Sequence, residues 1–478
     1  MKHLLVTYAW SINNIGDMGI QAGLMTLLKE VCPEVPVKLM SFLPREDEAW
    51  TYYRDALPPY NPQCQVLPMP FFDFIAGDPL PDAASEATRN LRLKGKAWGN
   101  LLQRHSAVRL EQFRNGTLPA RQAEEICEDL LDRFPLEVFA DMQTLMPEAA
   151  EAFANAAFVY YNSGTTLNFG RLGVRRLFGY TLPLAMSLLL ARALKIPYGI
   201  GSQSFDQIEW PVEMLYRKMF SDAEFVYCRD TDSMDYLKQK NFAFRKFAFR
   251  PDTTVNFHSS DDAWAEEYLR SHGLHEKPFL TMILRIAAPK AKYHDPVGGT
   301  VSAERCAAHM QRIKTFLEQW LHSTGGKVLL AHETRDTLGE NNAREFLYDI
   351  LSDEAKKNTV YLDFFWRPEQ ALGVFKRTAL LASMEIHSLI MGIGNGIPVL
   401  HLPFAECGRK RQMFADLGLE ELLVDIDEQD ADAQMSAIAE RLLADPENTR
   451  KLLAAAREQV LTEVNRTMTE VAAYCRQA

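Results

Sequence analysis

Short apolar runs, each followed by a polar loop and then by apolar residues at helical spacing, recur along the chain. The first run is residues 3–8, the loop 11–16 follows it, and Asp17 is predicted to cap the next helix. The apolar positions of that helix are Ile20, Leu24, Leu27, Leu28 and Val31. Residues 35–42 then predict a second strand. A strand, a helix and a strand in this order predict a parallel sheet, in which ligands bind at the carboxyl ends of the strands.

The same unit recurs in two series. In the first, strands are predicted at 157–161, 196–200 and 225–228, and helices at 180–194, 211–220 and from 232. In the second, strands are predicted at 279–284, 327–331, 359–363, 379–382 and 399–402, and helices at 303–322, 340–351 and 368–376. We therefore predict an α/β protein with two doubly wound, Rossmann-like domains at residues 1–260 and 276–430, followed by C-terminal helices at 431–478.

Residues 44–150 interrupt the first series. They begin rich in proline and aromatic residues, and they continue with charged helical patterns at about 86–114 and 120–146. We predict a helical insertion in the first domain. Such an insertion could recognise a ligand, pair two copies of the chain or simply cover the sheet, and the oligomeric state stays open.

Composition narrows the class of protein. The 478 residues carry a formal net charge of −11, which argues against a general nucleic-acid binder because phosphate neutralisation needs a basic surface. No two of the seven cysteines have Cys-x-x-Cys spacing, and no P-loop or N-terminal Gly-x-Gly-x-x-Gly occurs, so we predict neither a metal nor a cofactor.

The N-terminal residues lack the features of a signal peptide, and the most apolar stretch, 182–194, is too short for a membrane span. We expect a cytoplasmic protein.

The stretch 383–400 carries the most chemical information. His387 lies where a predicted strand gives way to a helix, and a glycine-rich turn at 392–396 leads into the next strand. This places an imidazole beside helix amides, which favour an anion. The histidine could exchange a proton near pH 7, or it could be a structural helix cap. Both interpretations stay open on this stretch alone.

Several polar loops at other strand ends resemble, in order, the motifs of the polysaccharide pyruvyltransferase family. The stretch 383–400 is similar to the family's histidine motif. The other similar segments are Asn14-Ile15-Gly16-Asp17, Asn162-Ser163-Gly164-Thr165, Gly199-Ile200-Gly201-Ser202, Tyr227-Cys228-Arg229-Asp230-Thr231-Asp232-Ser233 and Arg250-Pro251-Asp252. The resemblance runs from residue 4 to about 420, apart from 44–150. Two tandem domains of this kind also suggest the GT-B architecture, with an active site in the cleft that the domains face.

The resemblance implies transfer of a pyruvyl group from phosphoenolpyruvate to two hydroxyls of a sugar or lipid-linked glycan, as a ketal, in surface glycan biosynthesis. A peripheral position near a membrane stays open, and we predict no cofactor. By this resemblance His387 would be the acid or base and Arg229 would bind donor charge. Further substrate-binding candidates are Arg285, Arg409, Lys410, Asn14, Gly16, Asp17, Ser163, Gly164, Thr165 and Ser202.

One position departs from the family pattern. The family's arginine two residues before the histidine is Glu385 here, a reversal of charge in an expected anion pocket. The basic residues 409–411 could compensate, the donor could be that of a GT-B glycosyltransferase, or the chain could be a non-catalytic relative. Glu385 is itself a substrate-binding candidate. His332, Glu333 and Asp336 also follow a predicted strand, either as ligand contacts or in a solvated loop.

Overall fold

The computed structural model describes residues 2–42, 45, 47–68, 117, 128–168, 184–208, 212–287, 301–339 and 342–477. By the density of internal contacts these residues form two compact units. The first unit is Met1–Ser11, Leu28–Arg250 and Asn465–Ala478, and the second is Ile12–Leu27 and Pro251–Val464. The predicted helix at 86–114 and parts of those at 120–146 and 180–194 lie outside the described residues.

The first unit contains a parallel sheet of seven strands. The strands are β1 (His3–Ala9), β2 (Val37–Ser41), β3 (Cys64–Leu67), β4 (Ala156–Tyr161), β5 (Tyr198–Gln203), β6 (Phe225–Cys228) and β7 (Phe247–Phe249). Their spatial order is β3-β2-β1-β4-β5-β6-β7. Every residue of β1, β4 and β5 is buried, as expected for central parallel strands covered on both faces. The order reverses between β1 and β4, and such a reversal is where open α/β sheets bind ligands.

The second unit contains a parallel sheet of five strands. They are β8 (Phe279–Leu284), β9 (Lys327–His332), β10 (Thr359–Tyr361), β11 (Leu380–Ser383) and β12 (Val399–His401). Their order is β10-β9-β8-β11-β12, so the reversal here lies between β8 and β11. Arg285 directly follows β8, and Glu385 lies two residues after β11. The sheet order therefore brings together two residues that are 100 positions apart.

Helices flank both sheets. In chain order they are α1 (Ile15–Val31), α2 (Glu48–Ala56), α3 (Phe134–Leu145), α4 (Pro147–Ala154), α5 (Val212–Asp222), α6 (Thr231–Gln239), α7 (Asp262–Ser271), α8 (Ala303–Thr324), α9 (Ala343–Phe346), α10 (Asp353–Lys357), α11 (Pro368–Phe375), α12 (His387–Gly394), α13 (Lys410–Phe414), α14 (Ala431–Ala444) and α15 (Pro446–Gln477). Residues 184–193 are also helical. Among the described helices none is long and apolar enough to cross a membrane.

Helix α8 illustrates how the sequence specifies these elements. The Ser302 hydroxyl accepts a hydrogen bond from the Arg305 amide at its start, and Gly325 ends it with a left-handed φ of 60°. Its buried side chains recur every three or four residues. They are Cys306, His309, Met310, Ile313, Phe316, Leu317 and Trp320. One face of the helix is therefore apolar and packs inward.

The two α/β sheets confirm the predicted fold class, with four local differences. Strand β3 falls inside the predicted helical insertion and forms an edge of the first sheet, and β7 was not predicted. The helix expected at 340–351 is interrupted at Leu347, which has non-helical φ and ψ of −131° and −56°. The cap of α1 is Asn14, whose side-chain oxygen accepts hydrogen bonds from the amides of Gly16 and Asp17. Asp17 therefore lies in the first helical turn.

Candidate active site

His387 is held between two buried carboxylates in the second unit. Its Nδ1 lies 3.2 Å from Oε1 of Glu333, which follows β9, and its Nε2 lies 3.6 Å from Oδ2 of Asp252. The His387 side chain is 10% exposed and both carboxylates are fully buried. Burial by itself would lower the pKa of His387, but the carboxylates of Asp252 and Glu333 beside the ring nitrogens outweigh burial and raise that pKa to about 10. The ring is therefore an imidazolium at neutral pH.

Glu333 also occupies the start of α12. Its Oε2 accepts hydrogen bonds from the backbone amide and the hydroxyl of Ser388, each at 2.7 Å. The sequence led us to expect helix amides that favour an anion at this position, and the carboxylate of Glu333 is the anion found there. We call Asp252, Glu333, His387 and Ser388 the histidine site.

The N-terminal loop before α1 packs against the histidine site. The Ile15 amide donates to the Glu333 carbonyl at 3.0 Å, and the Arg335 amide donates to the Asn13 carbonyl at 2.8 Å. A Cβ atom placed on Gly16 would lie 2.5 Å from Cβ, Cγ and Nδ1 of His387. The glycine of the Asn-x-Gly-Asp segment is thus required by the close approach of the histidine ring.

Glu385 forms a second group of charges, which we call the Glu385 cluster. Its Oε1 accepts from Nη1 of Arg285 at 2.8 Å, and its Oε2 accepts from Nζ of Lys410 at 2.5 Å. Glu385 is 3% exposed. Burial would raise the pKa of this carboxyl, but Lys410 and Arg285 outweigh burial and lower the pKa to about 2. Glu385 is therefore an internal anion shared by two cations at the reversal of the second sheet.

The described charges of the histidine site and the Glu385 cluster balance. Three cations face three carboxylates. The cations are Arg285, His387 and Lys410, and the carboxylates are Asp252, Glu333 and Glu385. Burial raises the pKa of Asp336. The charge of Arg285 opposes this rise, and the charge of Glu385 adds to it. An incoming anion therefore meets cations that already have internal partners.

The other basic residues after β12 take separate positions. Arg411 pairs with Asp425, with Nη1 2.6 Å from Oδ2. Arg409 is partly buried at the residue before α13. Lys410 is the residue of the basic triplet that pairs with Glu385, with Nζ 2.5 Å from Oε2.

In the first unit Arg229 directly follows β6. Its Nε donates to the Ser204 hydroxyl at 2.9 Å, and that hydroxyl donates to Oδ2 of Asp230 at 2.6 Å. Oδ1 of Asp230 accepts from the Ser233 amide at 2.7 Å and so caps α6. Burial raises the pKa of Asp230, while these hydrogen bonds oppose the rise. Arg229 is thus held in a polar chain at the carboxyl edge of the first sheet.

The loop after β4 lies at the reversal of the first sheet. Trp10, just after β1, donates from its indole nitrogen to the Ser163 carbonyl at 2.7 Å. The Gly164 carbonyl accepts from the Ser204 amide at 2.9 Å. The buried Ser163 hydroxyl has no hydrogen-bond partner within the described ranges. Thr165 is partly exposed, and Ser202 is buried within β5.

A family model places the chain among known proteins. The model of the polysaccharide pyruvyl transferase family matches residues 14–404. The chain belongs to this family. A pyruvyl transferase family member is a transferase. The match includes the segment from Asn14 to Asp17, Arg229, the histidine site and Glu385. No curated protein sequence matches the chain.

Solved structures similar to this pyruvyl transferase family member have the GT-B fold. The Anabaena protein Alr3699/HepE, solved with UDP, is 10% identical over 99% of this chain and 98% of its own, with a TM-score of 0.51. A trehalose 6-phosphate synthase from Burkholderia multivorans is 12% identical over 100% and 99% of the two chains, also with a TM-score of 0.51. At these identities the likeness concerns the fold alone.

Sequence reasoning about this pyruvyl transferase family member left the partners of His387 undetermined. Glu333 was only one of several polar residues after a predicted strand, and Asp252 was quoted only as part of a strand-end segment. Both are buried against His387 in the structure. Trp10 was not considered, although an aromatic residue directly after the first strand was visible in the sequence. The signal that could have identified these partners was the presence of acidic residues shortly after strands.

Proposed function

We propose that this protein transfers a pyruvyl group from phosphoenolpyruvate to two hydroxyls of a sugar, forming a cyclic ketal and releasing phosphate, in the synthesis of a surface glycan. One observation supports this most: the ring of His387 lies between two buried carboxylates at a strand-to-helix junction, in a chain of the pyruvyl transferase family. The reaction needs a proton on the methylene carbon of the donor. A fixed imidazolium can supply that proton.

The proposed reaction uses two proton transfers at His387 and a third to the departing phosphate. His387 gives a proton to the methylene carbon, which becomes a methyl group and leaves positive charge on C2. One sugar hydroxyl attacks C2 and gives its proton to the now neutral His387. Phosphate then leaves C2, the second hydroxyl attacks, and its proton departs with the phosphate. One histidine thus acts first as acid and then as base.

The donor also needs cations for its phosphate and carboxylate. We propose that Arg285 and Lys410 share their charge between Glu385 and the donor, and that Arg409 adds a third cation. Guanidinium groups suit this role because they bind two oxygens of one anion at once. Arg229 stays a proposed ligand contact through the resemblance of its segment to the family pattern.

The Glu385 cluster favours a second candidate, glycosyl transfer from a nucleotide sugar. A carboxylate accepts hydrogen bonds from ribose or sugar hydroxyls, whereas it repels the anionic groups of phosphoenolpyruvate. The similar HepE protein was solved with UDP. On this alternative Glu385 would contact a hydroxyl of the donor.

Thermal unfolding in the presence of each donor separates the two candidates. A ligand at about 100 times its Kd stabilises the folded state by about 2.7 kcal/mol, which raises the melting temperature by a few degrees. We expect this rise with phosphoenolpyruvate and not with UDP-sugars. Lys410→Met should reduce the rise, and the exposed Arg457→Met should leave it unchanged. Stabilisation by UDP-sugars alone would support the second candidate instead.

A further inference from the structure

We infer that Glu333 and Asp252 are positioning residues, which hold His387 by its two ring nitrogens as an imidazolium with Nδ1 fixed and the proton on Nε2 available for transfer. The placement of one buried carboxylate beside each ring nitrogen carries this inference. The role in catalysis rests on the proposed function, whereas the charge state of the ring is a property of the protein itself.

Glu333 is the firmer of the two contacts. One carboxylate oxygen faces His387 Nδ1 at 3.2 Å, and the other accepts two hydrogen bonds from Ser388. Ser388 is the second residue of α12, so Glu333 is fixed relative to the helix that carries His387. The carboxylate therefore orients the ring and keeps a proton on Nδ1.

Asp252 makes the looser contact. Its Oδ1 is engaged by the backbone amide of Thr254 at 2.8 Å and also by the Thr254 hydroxyl. Its Oδ2 lies 3.6 Å from His387 Nε2, beyond ordinary hydrogen-bond length. A negative charge at this distance keeps Nε2 protonated without binding the proton tightly. The proton on Nε2, which lies farther from its carboxylate than the proton on Nδ1, is the one that His387 transfers.

The ring has little freedom to turn away from this arrangement. The backbone of Gly16 lies against its Cβ, Cγ and Nδ1, so that a single methyl group there would overlap the ring. The acidic residue on the same turn of α1 is Asp17, and the carboxylate of Glu385 is directed to Arg285 and Lys410. Within the part of the chain that the structure describes, Asp252 and Glu333 are the carboxylates that contact the His387 ring nitrogens.

A histidine between two carboxylates starts the reaction as an acid. A neutral histidine with a free nitrogen, by contrast, would start it as a base. Phosphoenolpyruvate must receive a proton on carbon before C2 can accept a hydroxyl, so the imidazolium matches the first step of the proposed reaction. Loss of either carboxylate should lower the pKa of the buried ring and so weaken its imidazolium form.

Histidine NMR tests the charge state without any substrate. The protein has 11 histidines, and selective ¹³C labelling of their ring carbons gives one signal each. The signal that disappears in His387→Gln belongs to His387. We expect it to remain that of an imidazolium at pH 8 in the wild type. In Glu333→Gln we expect its pKa to fall by about two units or more, since a nearby opposite charge typically shifts a pKa by 1–3 units.

Two further variants complete the test. Asp252→Asn should lower the His387 pKa as well, which covers the case in which Glu333→Gln does not fold, and the exposed Glu345→Gln should leave it unchanged. Activity, once an acceptor is found, should decline with rising pH at a lower pH in Glu333→Gln than in the wild type. A His387 that titrates near pH 6.5 in the wild type would overturn the inference, as would a pKa unaffected by Glu333→Gln and Asp252→Asn. The predicted titrations without any turnover of phosphoenolpyruvate would reject the proposed function and leave the inference standing.

Discussion

Replacing Glu385 by Gln should destabilise the second unit by about 3 kcal/mol at pH 7. The structure gives this magnitude through the carboxyl pKa, which Lys410 and Arg285 lower from 4.5 to about 2. A difference of roughly 2.5 units corresponds to about 3 kcal/mol, because each unit is worth about 1.4 kcal/mol. Gln resembles the protonated carboxyl in size and polarity, so the variant loses the stabilisation that ionisation provides.

The sign of the pH dependence follows from the lowered pKa. A carboxyl whose pKa is lower in the folded state contributes its full stabilisation above the unfolded pKa of about 4.5 and loses it as the pH falls towards 2. The difference between wild type and Glu385→Gln should thus be constant from pH 6 to pH 8. It should shrink to roughly half or less near pH 3.

Native-state hydrogen exchange of β8 and β11 in increasing urea is the assay for Glu385→Gln. A local readout is needed because two units need not unfold in one transition. The exposed Glu345→Gln is the matched control and should change the unfolding free energy by less than about 0.5 kcal/mol. Equal stability of Glu385→Gln and wild type at pH 7 would refute the reasoning. A difference that is as large at pH 3 as at pH 7 would refute it too.

Two other substitutions test the packing of the candidate site. Gly16→Ala should destabilise the protein by about 1–3 kcal/mol and impair turnover, because the added methyl group overlaps His387. This loss should outweigh the helix preference of Ala over Gly, which is about 1 kcal/mol. A variant that is more stable than the wild type in thermal unfolding would contradict the contact. Trp10→Phe should cost about 1 kcal/mol or more through the lost hydrogen bond to the Ser163 carbonyl. An unchanged urea midpoint for Trp10→Phe would show that this hydrogen bond adds nothing.

The sequence was sufficient for the fold class and for the position of His387. Strands such as β1 and β9 are built around short apolar runs, and the polar residues directly after them mark the carboxyl edge of each sheet. Short edge strands were harder to recognise. β3 has four residues and β7 has three, and such lengths give too little pattern to separate a strand from a loop.

Side-chain partners depended on information that the sequence does not carry. The contact between Arg285 and Glu385 exists because β8 and β11 are neighbours, and the order of strands in a sheet cannot be deduced from apolar patterns alone. The same holds for Asp252 and Glu333, which come from two segments far from His387 in the chain. The choice of Asn14 over Asp17 as the cap of α1 likewise depends on packing, since both residue types are good caps.

The formation of a ketal from phosphoenolpyruvate tests the central claim most directly. The protein would be incubated with phosphoenolpyruvate and a panel of sugars and glycans in D₂O, and the product analysed by NMR and mass spectrometry. We predict a pyruvate ketal whose methyl group contains one deuterium, formed together with free phosphate. The rate should fall by about two orders of magnitude or more in His387→Gln and stay unchanged in the exposed His322→Gln. Ketal formation at the wild-type rate in His387→Gln would contradict the account.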